Sequence, residues 1–180
     1  MKKHETNYLR VGDTNKVWAF TFKVGSSTLI QHHGKNFTTL RPGDEVHMLV
    51  RDPRERLVSA WACFTQMNVS YNHDYPHAVN VILLDKKTPF NEWVPVALQY
   101  YNKHWAPMTE QHPRWREFNL HDLEEWGAGK TKYMKSRHRP WQEHYDEGTL
   151  SLVEEVYKED LELWKEVHDN GIDDRARVLL

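Results

Sequence analysis

The chain has 180 residues, of which 39% are hydrophobic and 28% charged, a balance that describes a globular domain with a real core and excludes a disordered chain. Its 24 basic and 26 acidic residues nearly cancel, so non-specific nucleic-acid binding, which needs a cationic surface, is disfavoured, while a local basic pocket for a phosphorylated ligand is not. A single cysteine, Cys63, permits no internal disulfide, and no stretch has the length of apolar residues that a membrane span needs.

Residues 1–10 are polar, with no apolar signal core, and the expected location is the cytoplasm. One domain over 1–180 is expected, with 1–7 and 170–180 as flexible tails. Residues 8–11 alternate in polarity, 12–15 form a turn cluster, and 17–22 are rich in β-branched and aromatic residues, which together predict a hairpin leading into a buried strand. Lys23, Val24, Gly25, Ser26, Ser27 and Thr28 follow, and a short helix is expected over 26–33. Strand, tight loop and helix in this order aim backbone N–H groups at an anion. The loop reads either as a phosphate cradle with the Lys23 ammonium or as an ordinary polar turn. It is not a Walker A sequence, because the lysine precedes the glycine and no hydroxyl residue directly follows the lysine to hold Mg²⁺.

A second buried strand is predicted over 46–50. Asp52 is suited to cap a helix, Pro53 to its first position and Glu55 to a capping box, so a helix is expected from Pro53 to Gln66 with Leu57, Val58, Trp61 and Phe64 inward. Arg51 stands where a parallel strand ends, the edge at which α/β sheets bind ligands, and its guanidinium suits phosphate. Ser59 lies about two turns into the helix. The alternative makes Arg51 a surface ion pair and Ser59 a packing residue. Arg54 and Arg56 read as solvated or structural charges.

Residues 68–77 read as a loop, and a helix is expected from about 88 to 101. Residues 115–119 predict a third strand, with a short helix over 122–126 and a basic, irregular stretch at 127–140. A final helix is expected over about 150–168, with Asp160 alone interrupting its apolar stripe. Strand and helix alternate, which predicts a three-layer α/β domain with a mostly parallel sheet and a P-loop-like turn. The twelve histidines, among them His32, His33, His104, His112, His121, His138 and His144, follow no zinc spacing, and no metal is expected.

Lys23-Val-Gly-Ser-Ser-Thr-Leu29 resembles the 5′-phosphosulfate loop of sulfotransferases, and Arg51-Asp-Pro-Arg-Glu-Arg-Leu-Val-Ser-Ala-Trp61 resembles their 3′-phosphate motif. The likeness is closest to the Golgi-type carbohydrate sulfotransferases that modify glucuronic acid or N-acetylgalactosamine. Thr88-Pro-Phe-Asn-Glu-Trp93, His104-Trp-Ala-Pro107 and Val156-Tyr-Lys-Glu-Asp-Leu-Glu-Leu-Trp164 resemble further stretches in the order of that family. Phe22 stands where the family usually has proline, and the two phosphate motifs lie close together in the chain.

The resemblance implies transfer of a sulfuryl group from 3′-phosphoadenosine-5′-phosphosulfate (PAPS) to a hydroxyl, on a carbohydrate, leaving adenosine 3′,5′-bisphosphate and needing no metal. It implies cofactor contacts from Lys23 to Thr28, Arg51, Ser59, Ser136 and Arg137, with Lys23 stabilising the departing oxygen. His104 is the candidate base, its alternative being a substrate-contacting or structural histidine. His33 and His32 come next, then Glu110 and His112. A kinase-like phosphotransferase and a non-catalytic module binding the bisphosphate or a glycan are the competing readings.

Overall fold

The structure, a computed structural model, describes residues 8–66, 75–123 and 138–169. Strands β1 (Tyr8–Arg10) and β2 (Lys16–Ala19) precede helix α1 (Ser26–His33), and the short β3 (Phe37–Thr38) precedes β4 (Glu45–Val50). Helices α2 (Pro53–Gln66), α3 (His77–Leu84), α4 (Phe90–Ala97) and α5 (Met108–Gln111) follow, then β5 (Asn119–Asp122), α6 (Glu147–Val156) and α7 (Lys158–Asp169).

The five strands form one open sheet in the order β3-β1-β2-β4-β5. β2, β4 and β5 run parallel, with Val17 opposite Val46 and Val50 opposite Asp122. β1 is antiparallel to β2, and β3 is antiparallel to β1. The sheet is therefore mixed rather than mostly parallel. The turn at Gly12, whose φ is 52°, is too short for a crossover, and a tight connection can only return the chain antiparallel.

Successive strand residues face opposite sides of the sheet. Trp18 stacks on His33 of α1, with ring centroids 6.3 Å apart, whereas Asp122 approaches His168 of α7 at 3.4 Å. Helices thus cover both faces and make three layers. Leu9, Val17, Met48, Leu49, Val50, Leu29 and Leu163 fill the sheet core. A second core gathers Leu57, Val58, Phe64, Trp93, Trp105, Val153 and Tyr157 between the helices.

Several expectations shift. β2 stops at Ala19, so residues 20–22 already belong to the loop. The third parallel strand begins at Asn119, because Trp115–Glu117 form a 3-10 turn, and Asp122 closes this strand instead of opening a helix. The single closing helix is two helices with a break at Tyr157, whose hydroxyl donates to the Trp105 carbonyl. Asp160 interrupts the apolar stripe because its buried carboxylate accepts the N–H groups of Met108 (2.7 Å) and Thr109 (2.9 Å), capping α5. The helix expected from 88 spans Phe90–Ala97 only, and α3, α5 and β3 were not expected. The tails at 1–7 and 170–180, most of the 68–77 loop and most of 122–140 lie outside the described residues.

Candidate functional site

Two strand-to-helix turns meet at one edge of the sheet. In the first, β2 gives way to a loop in which Lys23 has a φ of 66°, the single non-glycine left-handed residue among those described. Gly25, at φ 75°, caps α1 from the same region of backbone space, where glycine is at ease. Its carbonyl accepts the N–H groups of Thr28 (2.9 Å) and Leu29 (3.0 Å), which winds the first turn tightly. No acidic residue sits in that turn, so the positive end of the helix dipole is not offset by a carboxylate of its own. Val24, Thr28 and Leu29 are buried and anchor the loop in the core, whereas Lys23, Gly25, Ser26 and Ser27 are half-buried.

In the second turn β4 ends at Val50 and α2 begins at Pro53. Asp52 caps it, accepting the Arg54 N–H at 2.9 Å. The geometry of this cap leaves Arg51 at the strand end. One Arg51 nitrogen donates to the Lys23 carbonyl at 2.9 Å, and the other to the Glu55 carboxylate at 2.7 Å. The two motifs are therefore joined by a direct hydrogen bond. Ser59, two turns along α2, is buried.

Two arginines of α2 serve structure. Arg54 pairs with Asp52 at 2.9 Å and lies over the Trp141 ring at 4.4 Å. Arg56 is 1% exposed, and its guanidinium donates to the Phe22 (3.1 Å), Ala106 (2.9 Å) and Lys103 (3.3 Å) carbonyls. It thereby ties the residue preceding Lys23 to the segment that carries His104.

That segment brings the His104 ring against Phe22, with centroids 4.4 Å apart, and edge-on to Phe64 at 5.1 Å. Asn102 accepts at Oδ1 from the His104 backbone N–H (2.9 Å) and lies 2.8 Å from His104 Nδ1. The fold thus brings Lys23, Arg51 and His104 to one place. It takes His33 elsewhere, to the far end of α1 against Trp18, where burial and the neighbouring His32 lower its affinity for a proton. His32 and Glu110 are exposed. His112 is 1% exposed, 3.0 Å from the Thr21 hydroxyl, and burial pushes its pKa down to about 4. Ser136 and Arg137 lie outside the described residues.

Sequence reasoning missed Asn102, the reach of Glu55 to Arg51, and the burial of Arg56. It also missed a pair of rings on the α1 face, His47 and His121, whose nitrogens lie 2.9 Å apart. Among the described residues no group of three or more His, Cys, Asp or Glu side chains could hold a metal ion, and no helix is long and apolar enough to cross a membrane. A family model described as the sulfotransferase family matches residues 1–123, which include both turns, Arg56 and His104. Comparison with curated proteins found no match, and neither did comparison with solved structures.

Proposed function

Since the chain belongs to the sulfotransferase family, we propose that it transfers a sulfuryl group from PAPS to a hydroxyl of a carbohydrate, the whole chain acting as one domain with a P-loop-like turn at its centre. The observation that carries this reading is the hydrogen bond from Arg51 to the Lys23 carbonyl, which joins two anion-binding turns in one site. A nucleotide with phosphate at both the 5′ and 3′ positions needs two such grips side by side. A glycine-capped helix start without an acidic first turn fits the first grip, and a strand-end guanidinium fits the second.

PAPS supplies the sulfuryl group, whose bond to the phosphate oxygen breaks as the bond from the acceptor oxygen to sulfur forms. Lys23 and the N–H groups of Gly25, Ser26 and Ser27 hold the 5′ side and stabilise the negative charge on the departing oxygen. Such a donor is worth roughly 3 kcal/mol of barrier. Arg51 and Ser59 hold the 3′-phosphate, with Glu55 giving up part of its claim on the guanidinium. His104 takes the acceptor's hydroxyl proton, its ring held against Phe22 beside Lys23. The Tyr101 ring, 49% exposed and three residues from His104, supports a sugar acceptor, because aromatic faces suit sugar rings.

Thermal unfolding with adenosine 3′,5′-bisphosphate, ATP or AMP tests the cofactor class, since a ligand of the native state raises the midpoint by mass action. Selective stabilisation by the bisphosphate is expected. A larger effect of ATP with Mg²⁺ would turn the reading towards a kinase. With PAPS and a panel of sugar acceptors, Lys23→Ala and Arg51→Ala each lower transfer on the order of 10²-fold or more while the fold survives. Full activity in either variant defeats the assignment.

A further inference from the structure

The hydrogen bonds around Asn102 determine which nitrogen of His104 carries a proton. Asn102 is 5% exposed, and its amide has only one workable orientation. The backbone N–H of His104 can only donate, and it points at one end of the amide at 2.9 Å, so that end must be the carbonyl oxygen. The other end donates to the Tyr75 hydroxyl oxygen at 3.1 Å, and Tyr75 in turn donates to the Tyr101 carbonyl at 3.0 Å. A flipped amide would set donor against donor at His104. The oxygen that accepts from the backbone also lies 2.8 Å from Nδ1 of the same residue. A carbonyl oxygen offers no hydrogen, so Nδ1 must bear one.

We propose that Asn102 is the positioning residue of the site, holding neutral His104 as the Nδ1–H tautomer and so putting the ring's lone pair on Nε2. This rests on the reading of His104 as the base. The acceptor's O–H proton passes to Nε2, the acceptor oxygen forms its bond to sulfur, and the electron pair of the breaking bond leaves on the phosphate oxygen. The resulting imidazolium keeps its Nδ1–H on Asn102 throughout, so the ring need not turn during the step. Tyr75 fixes the amide from behind and completes a chain from the Tyr101 carbonyl to the imidazole.

Nitrogen-15 NMR of the full chain reads the tautomer without any substrate, the His104 signals being those lost in His104→Gln. At a pH where the ring is neutral, Nε2 is expected at the shift of an unprotonated nitrogen and Nδ1 at that of a protonated one. In Asn102→Ala the two signals move towards exchange-averaged values. Turnover with PAPS then falls on the order of 10- to 100-fold in kcat, with KM for PAPS unchanged, because a general base contributes about 10²–10⁴-fold and only part of it is lost. Asn102→Asp keeps the acceptor oxygen for Nδ1 and restores most of kcat and the Nε2 signal only at a pH high enough that the added carboxylate no longer holds the ring as imidazolium. A neutral ring in the native chain with its proton on Nε2 overturns the proposal, as does an Asn102→Ala variant that changes tautomer yet keeps its full kcat. If the tautomer is as stated but His104→Gln transfers sulfuryl groups normally, the base assignment is what fails.

Discussion

Replacing Lys23 by glycine separates what its side chain does from what its backbone endures. Lys23 sits at φ 66°, where an L-residue pays roughly 1–2 kcal/mol and glycine nothing. Glycine in turn gives up about 0.5–1 kcal/mol more chain entropy on folding. Lys23→Ala is the proper reference, since both variants lose the ammonium and both keep the carbonyl that Arg51 uses. The difference leaves Lys23→Gly more stable than Lys23→Ala by about 0.5–1 kcal/mol. For a chain of this size that is a rise of about 1–4 °C in unfolding midpoint. The assay is thermal unfolding of the two variants side by side, followed by sulfuryl transfer under saturating PAPS. Both should lose on the order of 10²–10³-fold in kcat, because the departing oxygen has lost its cation. A glycine variant no more stable than the alanine variant would refute the claim that this backbone is strained, and retained turnover would refute the role of the ammonium.

Three further outcomes are expected. Glu55→Gln removes a carboxylate that competes for Arg51 at 2.7 Å, so calorimetric titration should show adenosine 3′,5′-bisphosphate binding several-fold more tightly, by about 1 kcal/mol; weaker binding would mean that Glu55 chiefly orients the arginine. His112 has its pKa pushed from 6.5 to about 4 by burial, so the unfolded chain takes up its proton first as pH falls. Stability from urea titrations should therefore drop between pH 6.5 and 4, by about 3 kcal/mol from this group. His112→Gln should flatten the drop, and an unchanged slope would contradict this account. Arg56→Met leaves the Phe22 and Lys103 carbonyls without a donor, the Ala106 carbonyl keeping Gln111 at 2.7 Å, and should cost about 2–5 kcal/mol in the same titrations. A loss below 1 kcal/mol would show that water or repacking replaces it.

Where local chemistry sets an element's ends, the sequence alone is enough to find them. α1 spans Ser26–His33 because Gly25 caps its start, and α2 starts at Pro53 because Asp52 caps it; both have the expected bounds. The elements that were misread depend on distant partners. The break between α6 and α7 falls at Tyr157, whose hydroxyl bonds the distant Trp105 carbonyl, and nothing near position 157 signals it. β3 has two residues and exists only because β1 offers it an edge. The site divides in the same way. Lys23 and Arg51 stand at turns with local signatures, so their neighbourhood was legible. For Arg56 the sequence leaves a solvated and a structural charge open, because the three acceptors that decide for the second are carbonyls from two other segments. Asn102 escaped notice because an amide two residues before a histidine carries no pattern until the turn folds.

The anchoring of Arg56 has a consequence for the range of conditions in which the site keeps its shape. Its hydrogen-bond acceptors at Phe22, Lys103 and Ala106 are main-chain oxygens, none of which takes up or releases a proton in the range where histidines titrate. Burial also shields the contact from dissolved ions. The spacing between the lysine turn and the histidine segment should therefore stay constant in brine and above about pH 6.5, where His112 does not yet destabilise the fold, so that a decline in turnover there reports on chemistry or ligand capture and not on the two halves drifting apart.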